Sequence, residues 1–319
     1  VIIKILDFIF WIKITLQIYN NLYCVQFNFE KFYCHQFFLL FYIYDFPQDP
    51  DFLGAAICQS LYQNFNTKTM QRFNNKTALI TGGTNGMGLA TAKKMIEEGG
   101  RVIITGRSEE TVNRALEKLG EKAFGIVSDA GNMSDLMNLQ QEIRKYTDQI
   151  DWVFANAGYG RFAPMEHVDG NHFDELFNML VKGSFFTVQQ VLPLMKSGSS
   201  VIFNTSVATE IAMPNFSVYS AAKSAVQSFI KTFAVELTER GIRVNGVSPG
   251  HIKTNIFNNT GLTSGQIESA IENIIPTIPF KRQGEPSEIA SVVLFLASED
   301  ASYIHGAEVK VDAGISVIR

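Results

Sequence analysis

The chain has 319 residues, with 27 Lys and Arg against 31 Asp and Glu and a formal net charge of −4. A balance so close to neutral gives no basic footprint for nucleic acid and no polybasic patch for an anionic membrane. All three cysteines (Cys24, Cys34, Cys58) fall before residue 70. The remainder therefore has no disulfide framework and suits a reducing compartment such as the cytoplasm.

Residues 1–69 differ in kind from the rest of the chain. They hold nearly half of the aromatic residues and are rich in Ile, Asn, Leu and Lys, whereas all nine methionines lie at or after Met70. The longest wholly apolar or aromatic run, Phe37 to Tyr44, falls far short of the about 20 residues a bilayer span needs. Lys4, Asp7 and Lys13 interrupt the first hydrophobic stretch, and no small-residue cleavage site follows it as in a secretory leader. These residue types have A/T-rich codons, and the chain starts at Val1. The segment is read as an N-terminal extension outside the fold, translated upstream sequence with Met70 as the true start, and is expected to be dispensable. A membrane-associating extension is the alternative.

From residue 70 short apolar strands alternate with helices. A strand at 77–81 leads into Gly82-Gly83-Thr84-Asn85-Gly86-Met87-Gly88, and a helical run through Ala90, Ala92, Met95 and Ile96 stops at Gly99-Gly100. Glycines between a strand and a helix let the backbone approach a pyrophosphate, and the helix N-terminus supplies free N–H groups and partial positive charge. The second strand, 101–105, ends at Gly106-Arg107-Ser108. An acid there would bind the ribose hydroxyls of NAD, and a base accommodates the 2′-phosphate of NADP. There is no acid, and Arg107 is the base.

The third strand, Ala123–Val127, is followed by Ser128-Asp129, and the fourth, 151–155, by Asn156-Ala157-Gly158. Tyr159, Gly160 and Phe162 come next, where a substrate could lie. One regular helix is predicted over 171–191; Phe173, Leu176, Phe177, Leu180 and Phe185 make it apolar on more than one side, as a core helix is. A fifth strand at 201–205 delivers Ser206 at its C-terminal end. The helix predicted from Tyr219 carries Ala222, Val226, Phe229, Ile230 and Phe233 at helical spacing, so Tyr219 and Lys223 share one face. A phenol titrates near pH 10, so it works as an acid-base group at neutral pH only with a positive charge beside it. Lys223 is expected to supply that charge and lower the Tyr219 pKa.

The sixth strand, 243–247, runs into Ser248-Pro249-Gly250-His251-Ile252-Lys253-Thr254. Residues 255–282 are polar, then Ile-rich with Pro276 and Pro279, and read as a substrate lid. A helix at Pro286–Ala297, with proline in its first turn, precedes the last strand at 308–312. No His/Cys cluster supports a metal, and His251 reads as incidental. The alternation predicts an α/β fold with one Rossmann-type, doubly wound parallel sheet of seven strands and helices on both faces. Its ligand crevice lies at the strands' C-terminal ends, where Gly82, Arg107, Asp129, Asn156, Ser206 and Thr254 all fall.

The T-G-x-x-x-G-x-G turn at Thr81 to Gly88, the N-A-G at Asn156, the Ser206, Tyr219 and Lys223 set, the P-G-x-I-x-T at Pro249 and the Val311-Asp312-Ala313-Gly314 ending resemble the short-chain dehydrogenase/reductase family. The resemblance covers Met70 to Arg319. It implies hydride transfer between NADP(H), in preference to NAD(H), and a small carbonyl or alcohol substrate. Ser206 would bond the carbonyl oxygen, Tyr219 would be the acid/base, and Lys223 would assist it and, with Tyr219, hold the nicotinamide ribose. Gly82, Thr84, Asn85, Gly86, Met87 and Gly88 would cradle the cofactor, Arg107 and Ser108 would take the 2′-phosphate, and Asp129 would bond the adenine. Asn156, Ala157 and Gly158 would lie along the cofactor, with Pro249, Gly250, Ile252 and Thr254 at the carboxamide.

The resemblance further implies a homotetramer or homodimer formed through the 171–191 and Tyr219 helices. The 3-oxoacyl-carrier-protein reductases and the broad ketone or sugar dehydrogenases look equally similar, and Tyr159, Phe162, Ile211, Met213 and Pro214 would give an apolar substrate pocket. Three positions depart from the pattern: Ala130 where the family usually has Val, Ala313, and Leu180 in place of the family's catalytic Asn, which holds a water linking the lysine to solvent. Either that relay is broken and turnover is slow, or Asn178 or Asn204 substitutes. The rival reading is a dinucleotide-binding sensor or scaffold with reduced or lost turnover.

Overall fold

The structure is a computed structural model that describes residues 71–254 and 263–318. The expectations for residues 1–69 and for the start of the lid lie outside the described residues. The strands are β1 (Thr77–Ile80), β2 (Arg101–Gly106), β3 (Ala123–Val127), β4 (Trp152–Ala155), β5 (Ser200–Asn204), β6 (Arg243–Pro249) and β7 (Glu308–Val311). They form one parallel sheet in the order β3-β2-β1-β4-β5-β6-β7. Every residue of β1, β4 and β5 is buried. That two-sided burial is why these strands read as continuous apolar runs without polar alternation.

Successive side chains point to opposite faces and so divide the core in two. Leu79, Ile103, Val153, Val201 and Val244 pack on one face with Leu139, Val188 and Ile230. Ala78, Ile80, Val102, Trp152 and Ile202 pack on the other with Ala92, Met95, Ile289 and Val293. The helices that cover them are α1 (Gly86–Glu97), α2 (Glu109–Leu119), α3 (Met133–Arg144), α4 (Gly170–Leu176), α5 (Gly183–Val191), α6 (Ser217–Leu237), α7 (Ser264–Ile274) and α8 (Pro286–Ala297). Helices α1, α2 and α8 take the second face, and α3, α5 and α6 the first. The doubly wound sheet expected from the sequence is present, and its strand order reverses between β1 and β4. A crevice opens at such a reversal.

One element departs from expectation. The helix predicted over 171–191 is interrupted by a π-helical turn, Phe177–Lys182, between α4 and α5. The wide turn buries Met179 and Leu180 in succession, at 6% and 1% exposure. Gly183 then lies against the Ala130 carbonyl, where an added Cβ would come within 2.6 Å of the oxygen. Regular 3.6-residue periodicity could not reveal such an insertion. No helix of the described residues is long and apolar enough to cross a membrane.

Candidate active site

The first wall of the crevice is backbone. Gly82 has φ +64°, and a Cβ there would stand 2.9 Å from the Ala157 Cα. Gly86 has φ +51°, and its Cβ would meet the Thr254 side chain at 3.3 Å. Left-handed conformation and close approach together require glycine at both positions. The loops after β1, β4 and β6 thus converge closely at Gly82 and Gly86. Thr81 Oγ1 locks two of them by accepting from the Asn156 and Ala157 N–H groups, each at 3.0 Å, while Asn156 Nδ2 donates to Thr81 O at 2.9 Å.

That network continues to the lysine. Asn204 Nδ2 donates to Asn156 Oδ1 at 3.0 Å, and the Asn204 carbonyl accepts from Lys223 Nζ at 2.7 Å. Because Asn156 Nδ2 is committed to donation, the orientation of both amides follows from the network. It leaves Asn204 Oδ1 buried without a hydrogen-bond partner among the described residues. The last residue of β5 therefore couples the glycine-rich turn to α6.

Tyr219 and Lys223 are one turn apart on α6, both buried, with Nζ 5.9 Å from the phenol ring centroid. Burial pushes the Tyr219 phenol up, and a hydrogen bond with Ser206 pulls it back in part. Burial also pushes the Lys223 ammonium down to about 8. The shared face expected from the sequence is there, but burial, and not the lysine, has the largest effect on the phenol. Ser206 follows β5 and caps the short turn Val207–Thr209, its hydroxyl accepting from the Ala208 N–H at 3.2 Å.

These groups line one cavity of about 690 Å³. Its size lies within the range of ligand and cofactor sites, and its glycine-lined wall fits an extended dinucleotide. Gly82, Thr84, Asn85, Gly86, Met87, Arg107, Asn156, Ala157, Gly158, Ser206, Tyr219, Lys223, Pro249, Gly250, Ile252 and Thr254 all face it. Three expected members do not. Gly88 is buried in the first turn of α1 against the Gly82 carbonyl. The Ser108 hydroxyl is taken up as the α2 N-cap, bonding Thr111. Asp129 Oδ1 accepts from Gly131 N–H at 2.8 Å, within its own turn.

Other residues complete the lining. Phe216, just before α6, stacks on Phe162 at 4.0 Å, and both present edges to the Tyr219 ring at 5.9 and 5.7 Å. Sequence reasoning missed Phe216, although an aromatic three residues ahead of Tyr219 was a readable signal. Val207, Met179, Ile274, Thr277 and Gln283 also line the cavity, Ile274 and Thr277 from the segment expected to be a lid and Gln283 just beyond it. Met213 and Phe162 are in place, whereas Ile211 and Pro214 are not part of the lining; Ile211 packs with Val207, Ile278 and Ile315. Leu180 is buried beside Tyr219, Ala208 and Ala222, and its Cδ2 would lie 2.5 Å from a Cβ at Gly158.

The family model described as enoyl-(acyl carrier protein) reductase matches residues 82–316, and an oxidoreductase from Sarocladium schorii is 37% identical over 251 residues, covering 78% of this chain and 99% of that protein. The chain belongs to the short-chain dehydrogenase/reductase family. A solved levodione reductase is 31% identical with a TM-score of 0.73, covering 77% of this chain and 100% of that one. A 3-ketoacyl-(acyl-carrier-protein) reductase from Brucella melitensis, solved with NADH, is 25% identical with a TM-score of 0.69 over 76% of this chain and 99% of its own. Short-chain dehydrogenases/reductases are oxidoreductases that bind a nicotinamide dinucleotide.

Proposed function

We propose that the protein is a cytoplasmic, NADP(H)-dependent oxidoreductase that interconverts a small carbonyl compound and its alcohol, with Tyr219 as the acid/base. The observation that carries this reading is the convergence of Ser206, Tyr219 and Lys223 on one partly apolar cavity whose opposite wall is the glycine-rich turn. The glycine-rich turn, Asn156, Ala157, Gly158 and the Pro249 to Thr254 turn would hold the cofactor, which when bound supplies or accepts the hydride. Ser206 donates a hydrogen bond to the substrate oxygen, and Tyr219, kept protonated at neutral pH by burial, gives that oxygen its proton. Lys223, below its pKa of about 8, stabilises the phenolate left behind. The apolar faces of Phe162, Phe216 and Met213 exclude water from the reacting carbonyl.

NADP(H) is the proposed partner because Arg107 stands exposed at the cavity mouth after β2, with no acid beside it to take ribose hydroxyls. Charge-assisted hydrogen bonds contribute about 1.5–3 kcal/mol, a preference of roughly ten- to a hundredfold. We expect Arg107→Ala to remove most of that preference, read as the ratio of NADPH to NADH dissociation constants. Equal wild-type affinities, or a ratio unmoved by the substitution, would contradict it. The substrate class is tested by NADPH consumption with a panel of ketones, aldehydes and quinones. Assembly as a homotetramer or homodimer through α4, α5 and α6 belongs to the same proposal and is tested by sedimentation; Phe173 and Val235 on those helices are 44% and 79% exposed.

Leu180 favours the second reading, a dinucleotide-binding sensor or scaffold, because a buried leucine offers no hydrogen bond beside Tyr219. A protein that binds NADPH and consumes none across the panel would decide for it. On the enzyme reading, Leu180→Asn is expected to raise kcat by up to about tenfold with NADPH affinity unchanged. An unchanged or lower kcat with the fold intact would mean that the relay runs through another group, such as the unpartnered Asn204 Oδ1, or that its loss does not limit turnover, and would overturn this expectation.

A further inference from the structure

We infer that Tyr159 is a specificity-determining residue: its ring holds the Arg107 guanidinium at the cavity mouth, ready for the 2′-phosphate that distinguishes NADPH from NADH. The inference rests on the NADP(H) reading above and adds a second residue to it. Arg107 follows β2 and Tyr159 follows β4, and the sheet order sets β1 between those strands, so the pair spans the crevice at the point of strand reversal. The guanidinium carbon stands 5.2 Å from the Tyr159 ring centroid, within cation–π range. Both residues line the same cavity.

The two side chains are held very differently. Among the described residues Arg107 has no ion pair and no side-chain hydrogen bond, so its planar set of donors stays available to a ligand. Tyr159 is anchored. Its hydroxyl donates to one oxygen of Glu175 on α4, whose other oxygen accepts from Arg161. Burial and the Glu175 bond push the Tyr159 phenol up to about 12, which keeps the ring neutral and the anchor intact at any physiological pH. Arg161 neutralises the carboxylate, and Asp129, the other acid that bears on Tyr159, is bonded to the Gly131 N–H.

A flexible arginine free to sample many rotamers must be ordered each time a phosphate binds, and a fixed aromatic face removes part of that ordering cost beforehand. NADH lacks the phosphate and gains nothing from the arrangement. The signature of this role is therefore a change in the ratio of two affinities, which a merely structural lining residue would not produce.

Dissociation constants of NADPH and NADH, measured with the full chain by nucleotide fluorescence, test it. Tyr159→Leu is expected to weaken NADPH by three- to tenfold more than NADH. Tyr159→Phe keeps the ring face and loses only the anchor, and should shift the ratio less. In an Arg107→Ala background, Tyr159→Leu should shift the ratio no further. A ratio untouched by Tyr159→Leu, or one that shifts equally without Arg107, overturns the inference while the wild-type preference stands. Wild-type protein that binds both nucleotides alike overturns the NADP(H) reading and this inference with it.

Discussion

Tyr219→Phe is expected to lower kcat by about 10²- to 10⁴-fold, the contribution of general acid–base catalysis, with cofactor affinity changed by no more than a few fold. The substitution keeps the ring that packs edge-on against Phe162 and Phe216 and removes only the hydroxyl. Its structural cost is one hydrogen bond with Ser206, about 1 kcal/mol. Two titratable neighbours that line the cavity are already engaged. Tyr159 is committed to Glu175, and the Lys223 ammonium is committed to the Asn204 carbonyl. Steady-state NADPH oxidation, with a nucleotide titration as the control for binding, measures the effect. A variant that retains more than about a tenth of the wild-type kcat would show that another group donates the proton.

The second large effect separates activity from stability. Lys223→Met should lower kcat by roughly 10²- to 10³-fold, as the loss of one preorganised charge does, and yet make the protein more stable at pH 7. Lys223 is 5% exposed, and burial depresses it from 10.5 to about 8. Below pH 8 both the folded and the unfolded chain carry the proton, so the folded state bears the whole cost of a buried ammonium, on the order of 3 kcal/mol. Between about 8 and 10.5 the unfolded chain holds more protons than the folded one, so wild-type stability gains a rising component across that window.

Methionine removes the buried charge but also the charge-assisted bond to the Asn204 carbonyl, about 1.5–3 kcal/mol, which leaves a net gain of no more than about 1.5 kcal/mol at neutral pH. That gain should fade as pH approaches 10.5, and it can be read from denaturant unfolding across the range. In the wild type the reductive kcat should decline as pH rises through about 8, where the ammonium is lost. A less stable Lys223→Met at pH 7, or stability curves that stay parallel between pH 8 and 10.5, would contradict the account.

What could be read from the sequence was whatever depends on repeat distances within one element. Two-sided burial turns β1, β4 and β5 into uninterrupted apolar runs, and the helical period sets Tyr219 and Lys223 on one face of α6. The positive φ of Gly82 and Gly86 is likewise a local demand that only glycine meets at low cost. Those signals sufficed for the parallel sheet and for the crevice at its C-terminal edge, whereas the roles proposed for Ser206, Tyr219 and Lys223 came from the motifs that resemble the family.

The tertiary structure alone decided which groups meet across elements and which are already engaged. Ser108 and Asp129 each accept from a nearby N–H at a helix start or turn, Ser108 from Thr111 and Asp129 from Gly131, a pairing visible only once the chain is folded. The π-helical turn that buries Leu180 is followed by the close approach of Gly183 to Ala130, and no periodicity encodes either. Asn204 links the glycine-rich turn to Lys223, and Tyr159 supports Arg107, because the strand order β2-β1-β4-β5 makes neighbours of loops distant in the chain. Sequence carries that order only through the packing of the whole sheet.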